Sequence, residues 1–144
     1  MSGRDVILVV DDQAAVLEIT TSMLRRSGYE VIAASDGHEA LRVLDTRPDV
    51  TVLLTDCDMP VLSGADLART VMRQWPNIQI VAMSGQPRSD EMPTEVAFLA
   101  KPFPTSALVA LMKEACITQV DAVPMYAAPR PPAASSFVRE RQRP

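Results

Sequence analysis

The chain has 144 residues, 47% of them hydrophobic, which suits one globular domain with a real core and leaves too little for a comfortable second. Its 18 acidic and 14 basic residues give a net charge of -4, and they are scattered rather than gathered into a basic face, which argues against direct nucleic-acid binding. Two cysteines exclude a disulfide scaffold and the apolar runs are too short to span a membrane; with Asp11 and Asp12 directly after the first apolar run and no signal-peptide pattern, a cytoplasmic home is expected.

In chain order, VILVV at 6–10 reads as a strand and QAAVLEITTSMLRRSG at 13–28 as a helix. Ala15, Leu17, Ile19, Met23 and Leu24 fall near one helical stripe, and Gly28 after Arg25 and Arg26 is a C-terminal stop. YEVIAAS at 29–35 is a second strand and DGHEALRVLDTR at 36–47 a second helix. VTVLLT at 50–55, IQIVAM at 78–83 and EVAFLA at 95–100 continue the strands. GADLARTVMRQW at 64–75, closed by Pro76, and PTSALVALMKEACI at 104–117 continue the helices. Apolar strands alternating with helices require a parallel sheet covered on both faces, a doubly wound α/β domain. Periodicity fades near residue 119, so the domain is expected over 1–119 and a flexible Pro/Ala-rich tail over 120–144.

The polar residues at the strand ends carry the chemistry. Ligands of open parallel sheets bind beyond the carboxyl ends of the strands. The first strand ends in Asp11 and Asp12, the third in Asp56, the fourth in Ser84 and the fifth in Lys101. Three carboxylates brought together repel by about 4 kcal/mol per pair at 4 Å and effective dielectric 20, so they call for a cation. Hard oxygen donors favour Mg²⁺ or Mn²⁺. A carboxylate can attack phosphorus, and Asp56, ending a central strand, is the candidate nucleophile. Asp11 and Asp12 are then metal ligands, while Ser84 and Lys101 serve the phosphoryl oxygens. His38 has no second histidine to share a metal and reads as a surface residue, and Cys57 reads as a small buried one.

With these residues in hand, the sequence resembles the receiver domains of two-component response regulators, of the chemotaxis-regulator-like kind. The resemblance rests on Asp11-Asp12, on Asp56-Cys57-Asp58-Met59-Pro60 with Gly64, on Ser84-Gly85, and on Phe98 with Lys101-Pro102-Phe103, across residues 5–117. It implies a flavodoxin-like five-stranded parallel sheet of strand order 2-1-3-4-5. It also implies that Asp56 accepts a phosphoryl group from a sensor histidine kinase or phosphotransfer protein. Mg²⁺ would be held by Asp11, Asp12, Asp56 and the backbone carbonyl of Asp58. Ser84 and Phe98 would form the switch, the Lys101-Pro102 bond would be cis, and Asp58 and Gln86 would tune phosphate lifetime. Such a protein is not an enzyme beyond its own phosphorylation and dephosphorylation, and it regulates an output partner as a stand-alone protein or as the receiver of a hybrid kinase.

Two departures bear on output. Only 16 residues separate Ser84 from Lys101, and GQPRSDEMPT holds two prolines, so a fourth helix before the last strand is expected to be shortened, distorted or missing. Phe98 lacks a hydroxyl, so switching there must work by packing. Among rival readings, Asp56-x-Asp58 could suggest a haloacid-dehalogenase-type phosphatase, but Pro60 stands where that signature has threonine. An EF-hand loop begun at Asp56 would put Pro60 and Leu67 at ligand positions. A degenerate receiver used only for docking would not need every active-site residue type.

Overall fold

A computed structural model describes residues 5–122, with side chains placed as far as Cys116. Five strands, β1 (Val6–Val10), β2 (Glu30–Ala34), β3 (Val50–Asp56), β4 (Gln79–Ser84) and β5 (Ala97–Ala100), form one sheet in the order β2-β1-β3-β4-β5. Every neighbouring pair is parallel. Helices α1 (Ala14–Arg26), α2 (Gly37–Thr46), α3 (Gly64–Gln74) and α4 (Thr105–Ala122) complete the described chain. This is the expected doubly wound, flavodoxin-like arrangement, and its strand order reverses between β1 and β3.

Residue parity on the strands divides the core. Leu8, Val10, Leu53 and Ala82 face α2 and α3, packing with Ala40, Leu44, Leu67, Ala68 and Val71. Ile7, Val9, Val52, Leu54 and Met83 face the other way, onto Leu24 of α1 and Leu108 and Met112 of α4. Because β1 and β3 are covered on both sides, they read in the sequence as unbroken apolar runs.

Local chemistry sets the ends of the helices. Gly28, at φ 99°, ends α1: its N–H donates to the Arg25 carbonyl and the Tyr29 N–H to the Leu24 carbonyl, the paired bonds that close a helix through a left-handed residue. At α2 the Asp36 carboxylate accepts from the Glu39 N–H, and the Glu39 carboxylate accepts from the Ser35 N–H and hydroxyl. Ser63 caps α3 through the Asp66 N–H, and Trp75, partly buried against the α2/α3 core, ends it.

Three features differ from the sequence reading. On α1, Ala15 and Ile19 are exposed, while Thr20, Thr21 and Leu24 are buried. The hydroxyl of Thr21 can be buried because it donates to the Glu18 carbonyl. Strand β5 starts at Ala97 rather than residue 95, since the Val96 N–H turns back to the Pro93 carbonyl. Helix α4 runs to Ala122, past residue 117 and through the first three positions assigned to the tail; the remainder of that tail lies outside the described residues.

Between β4 and β5 the shortened helix is absent altogether: residues 85–96 contain turns and bends only. The connection is held by side chains instead. Met92 and Val96 are buried in the α2/α3 core. The Arg69 guanidinium donates to the Glu91 carbonyl at 2.6 Å and Arg88 donates to the Pro93 carbonyl at 2.6 Å. The Arg88 guanidinium also lies 6.0 Å from the centre of the Phe98 ring. Among the described residues, no helix is long and apolar enough to cross a membrane.

Candidate functional site

The reversal of strand order puts the carboxyl ends of β1 and β3 side by side, where an open α/β sheet has its crevice. Asp11 and Asp12 come directly after β1, and Asp56 is the last residue of β3. One carboxylate oxygen from each of the three lies within 4.8 Å of the others. Asp11 and Asp56 are buried and Asp12 is exposed. Asp11 is fixed by its own loop, one oxygen accepting from the Gln13 N–H at 2.9 Å.

Lys101 reaches in from the end of β5. Its Nζ is 3.0 Å from Asp56 Oδ1 and 3.4 Å from Asp11 Oδ2. Its own N–H donates to the Ser84 carbonyl at 2.8 Å, so the ends of β4 and β5 are tied beneath the side chain, and the Lys101-Pro102 bond is cis as the resemblance implied. Ser84 is buried with its hydroxyl accepting from the Gln86 N–H at 2.9 Å. Asp58 is exposed on the loop after β3, and Phe98 is partly buried under Arg88.

Charge and burial compete here. Burial pushes the Asp56 carboxyl above its ordinary range; Lys101 pulls it down but does not prevail, because the Asp11 and Asp58 charges push the same way as burial. Burial alone would lower the Lys101 ammonium, but its hydrogen bond to Asp56 and the Asp56 and Asp11 charges outweigh it and hold the group above its ordinary value. Half-buried Cys57 is raised first by burial, then by Asp56 and Asp58, and stays a neutral thiol. One lysine thus faces three carboxylates. The surplus of negative oxygen donors fits a small hard divalent cation.

The loop from β3 to α3 fixes Asp56 through its backbone. Gly64 lies so close to the Asp56 carbonyl oxygen that a Cβ there would overlap it and would stand 2.7 Å from Cys57 Cα; its N–H donates to the Cys57 carbonyl at 3.0 Å. Leu62 packs on Gly37, where an added Cβ would meet Leu62 Cδ2 at 2.6 Å. Just before these two anchors Val61 has φ 70° and the Leu62 N–H donates to the Pro60 carbonyl at 2.8 Å, a γ-turn centred on a β-branched residue. Such a conformation costs on the order of 1–3 kcal/mol. The sequence singled out Asp11, Asp12, Asp56, Ser84 and Lys101, and the fold brings all five to one edge. It gave no sign of the Arg88 stacking or of the Val61 turn, because neither depends on periodicity; valine in particular argues against a positive φ.

Residues 7–113 match the response regulator receiver domain family. Transcriptional regulatory protein PrrA of Mycobacterium leprae is 37% identical over 113 residues, 74% of this chain and 48% of that protein. Chemotaxis protein CheY1 of Helicobacter pylori is 34% identical over 110 residues, 71% of this chain and 89% of that protein. The crystal structure of response regulator protein TrrA from Thermotoga maritima in complex with Mg²⁺-BeF superposes with a TM-score of 0.72 at 26% identity, covering 77% of this chain and 98% of that one. The chain spans about half the length of PrrA.

Proposed function

The chain belongs to the response regulator receiver domain family of two-component signalling, and from that membership we propose that it is a phosphoacceptor switch in which Asp56 takes a phosphoryl group from the phosphohistidine of a sensor histidine kinase or phosphotransfer protein. The observation that carries this reading is the meeting of three carboxylates from two strand ends with the Lys101 ammonium 3.0 Å from Asp56.

An Asp56 oxygen forms the O–P bond as the P–N bond to the donor imidazole breaks, and the imidazole leaves neutral, keeping the proton on its other nitrogen. Lys101 already contacts Asp56 and is positioned to follow charge onto the transferred phosphoryl oxygens. The Ser84 hydroxyl, one strand away, would exchange its Gln86 N–H partner for a phosphoryl oxygen, and Phe98 would repack with it. Asp11, Asp12, Asp56 and the Asp58 carbonyl would hold Mg²⁺ or Mn²⁺. When bound, the ion neutralises the carboxylates and the incoming phosphoryl oxygens. The Mg²⁺-BeF complex of TrrA supports that choice of cation. In this reading the protein works in the cytoplasm, turns over no substrate but its own aspartyl phosphate, and passes the signal to an output protein.

Incubation with acetyl phosphate and Mg²⁺ tests the proposal. One acid-stable, base-labile phosphoryl group should appear on Asp56, and Asp56→Asn should abolish it. Persistent labelling of that variant would place the nucleophile elsewhere, and sustained hydrolysis of many phosphate esters per protein molecule would favour a phosphatase.

A further inference from the structure

Two large hydrophobic residues are exposed among the described residues, Ile19 on α1 at 56% and Val61 at 91%. Val61 carries two costs that nothing among the described residues offsets. Its backbone occupies the left-handed region, which glycine or asparagine enters far more readily than a β-branched residue. Its side chain meets water almost completely, so it adds nothing to the core.

The flanking anchors make this a rigid display rather than a loose end. Met59 is buried on one side; Leu62 is lodged on Gly37 and Gly64 is pressed on the Asp56 carbonyl on the other. The turn therefore holds the valine isopropyl group outward, five positions beyond the carboxylate proposed to receive phosphate. Asp56 is only 6% exposed, so any donor whose phosphorus comes within bonding distance must lay its surface over the rim of the crevice. That rim carries the acidic residues Asp12 and Asp58, both exposed, which do nothing to attract a phosphorylated donor. A fixed apolar contact costs little ordering entropy and offers a charge-independent foothold.

We infer that Val61 is a donor-discriminating residue: it packs against the protein that carries the phosphohistidine and favours that macromolecular donor over small phosphodonors. This rests on the phosphoacceptor reading of Asp56. The macromolecular donor is a phosphoprotein, and small acyl phosphates, which reach the crevice without touching the turn, make no use of the contact.

The experiment compares two donors on the whole chain. Initial rates of Asp56 labelling are measured with acetyl phosphate, and with whichever autophosphorylated histidine kinase, among those purified from the same genome, transfers fastest to wild type. Val61→Asn removes the apolar contact while suiting the backbone; Val61→Ile retains it. Labelling by acetyl phosphate should stay within about twofold for both variants, while kcat/KM for transfer from the kinase should fall about tenfold for Val61→Asn and recover to within about threefold for Val61→Ile. Kinase transfer to Val61→Asn at the wild-type rate overturns the inference. So does an equal fall with both donors, which would mean that the turn only shapes the crevice. A wild-type chain labelled by neither donor would remove the phosphoacceptor reading itself, a result distinct from either.

Discussion

The loop from β3 to α3 and the connection from β4 to β5 both leave the site edge of the sheet, yet they are secured by different means. The first is held by backbone proximity: Gly64 touches the Asp56 carbonyl, and no side chain larger than hydrogen fits between them. The second, lacking a helix, is held by side chains, with Met92 and Val96 buried and Arg69 and Arg88 bonded to its carbonyls. Where a carboxylate must be placed within tenths of an ångström, the chain uses direct contact between main-chain atoms. Where a sheet face only needs cover, looser anchors serve.

If that contrast is right, Gly64→Ala should have the largest effect, costing about 3 kcal/mol in urea unfolding and also suppressing labelling of Asp56, because the added methyl displaces the Asp56 and Cys57 backbone. Saturating Mg²⁺ comes next. At a hundredfold excess over Kd it should add about 2.7 kcal/mol of stability, slowing amide exchange across 56–64 but not across 85–96, with reversal by chelator; equal protection of both segments would break the comparison. Met92→Ala should then cost about 2 kcal/mol while leaving acetyl phosphate labelling intact. Arg69→Ala, which loses the bond to the Glu91 carbonyl and the exposed pair with Asp66, should cost about 0.5–1 kcal/mol in the same assay.

The smallest effect is one of sign. Burial first, and then the Asp11 and Asp58 charges, raise the Asp56 carboxyl above its ordinary 3.8. Its contribution to stability is therefore full below that value and lost as pH rises through the folded value. In EDTA at pH 7, Asp56→Asn should melt above wild type, with the gap closing on acidification towards pH 3.8; a variant that melts lower at pH 7 would contradict the burial argument. Met92→Ala, which touches no titrating group, should show the same deficit throughout.

The sequence disclosed the strands because β1 and β3 are buried on both faces, so hydrophobic runs and strands coincide. It disclosed the five polar site residues because each stands at or just past the end of such a run. It misjudged the buried face of α1, since the stripe was drawn through apolar residues alone, Ala15 and Ile19 among them, while Thr20 and Thr21 are buried. The short span and prolines of 85–96 signalled a lost helix, but which residues would replace it was illegible: Met92 lies in no periodic pattern, and Arg88 meets Phe98 of β5, ten positions on and across the irregular segment. The bend at Val61 runs against the preference of valine and could only be found in three dimensions.

Trp75, the single tryptophan of the chain, ends α3 at the far end from Gly64. Eleven helical residues, about 16 Å of helix, lie between it and the site end of α3. Its indole is packed against the α2/α3 core, so its fluorescence will follow loss of that packing while staying blind to cation binding at the crevice. The molecule thus carries an optical probe of its folding that leaves ion titration to be read by a separate, independent signal.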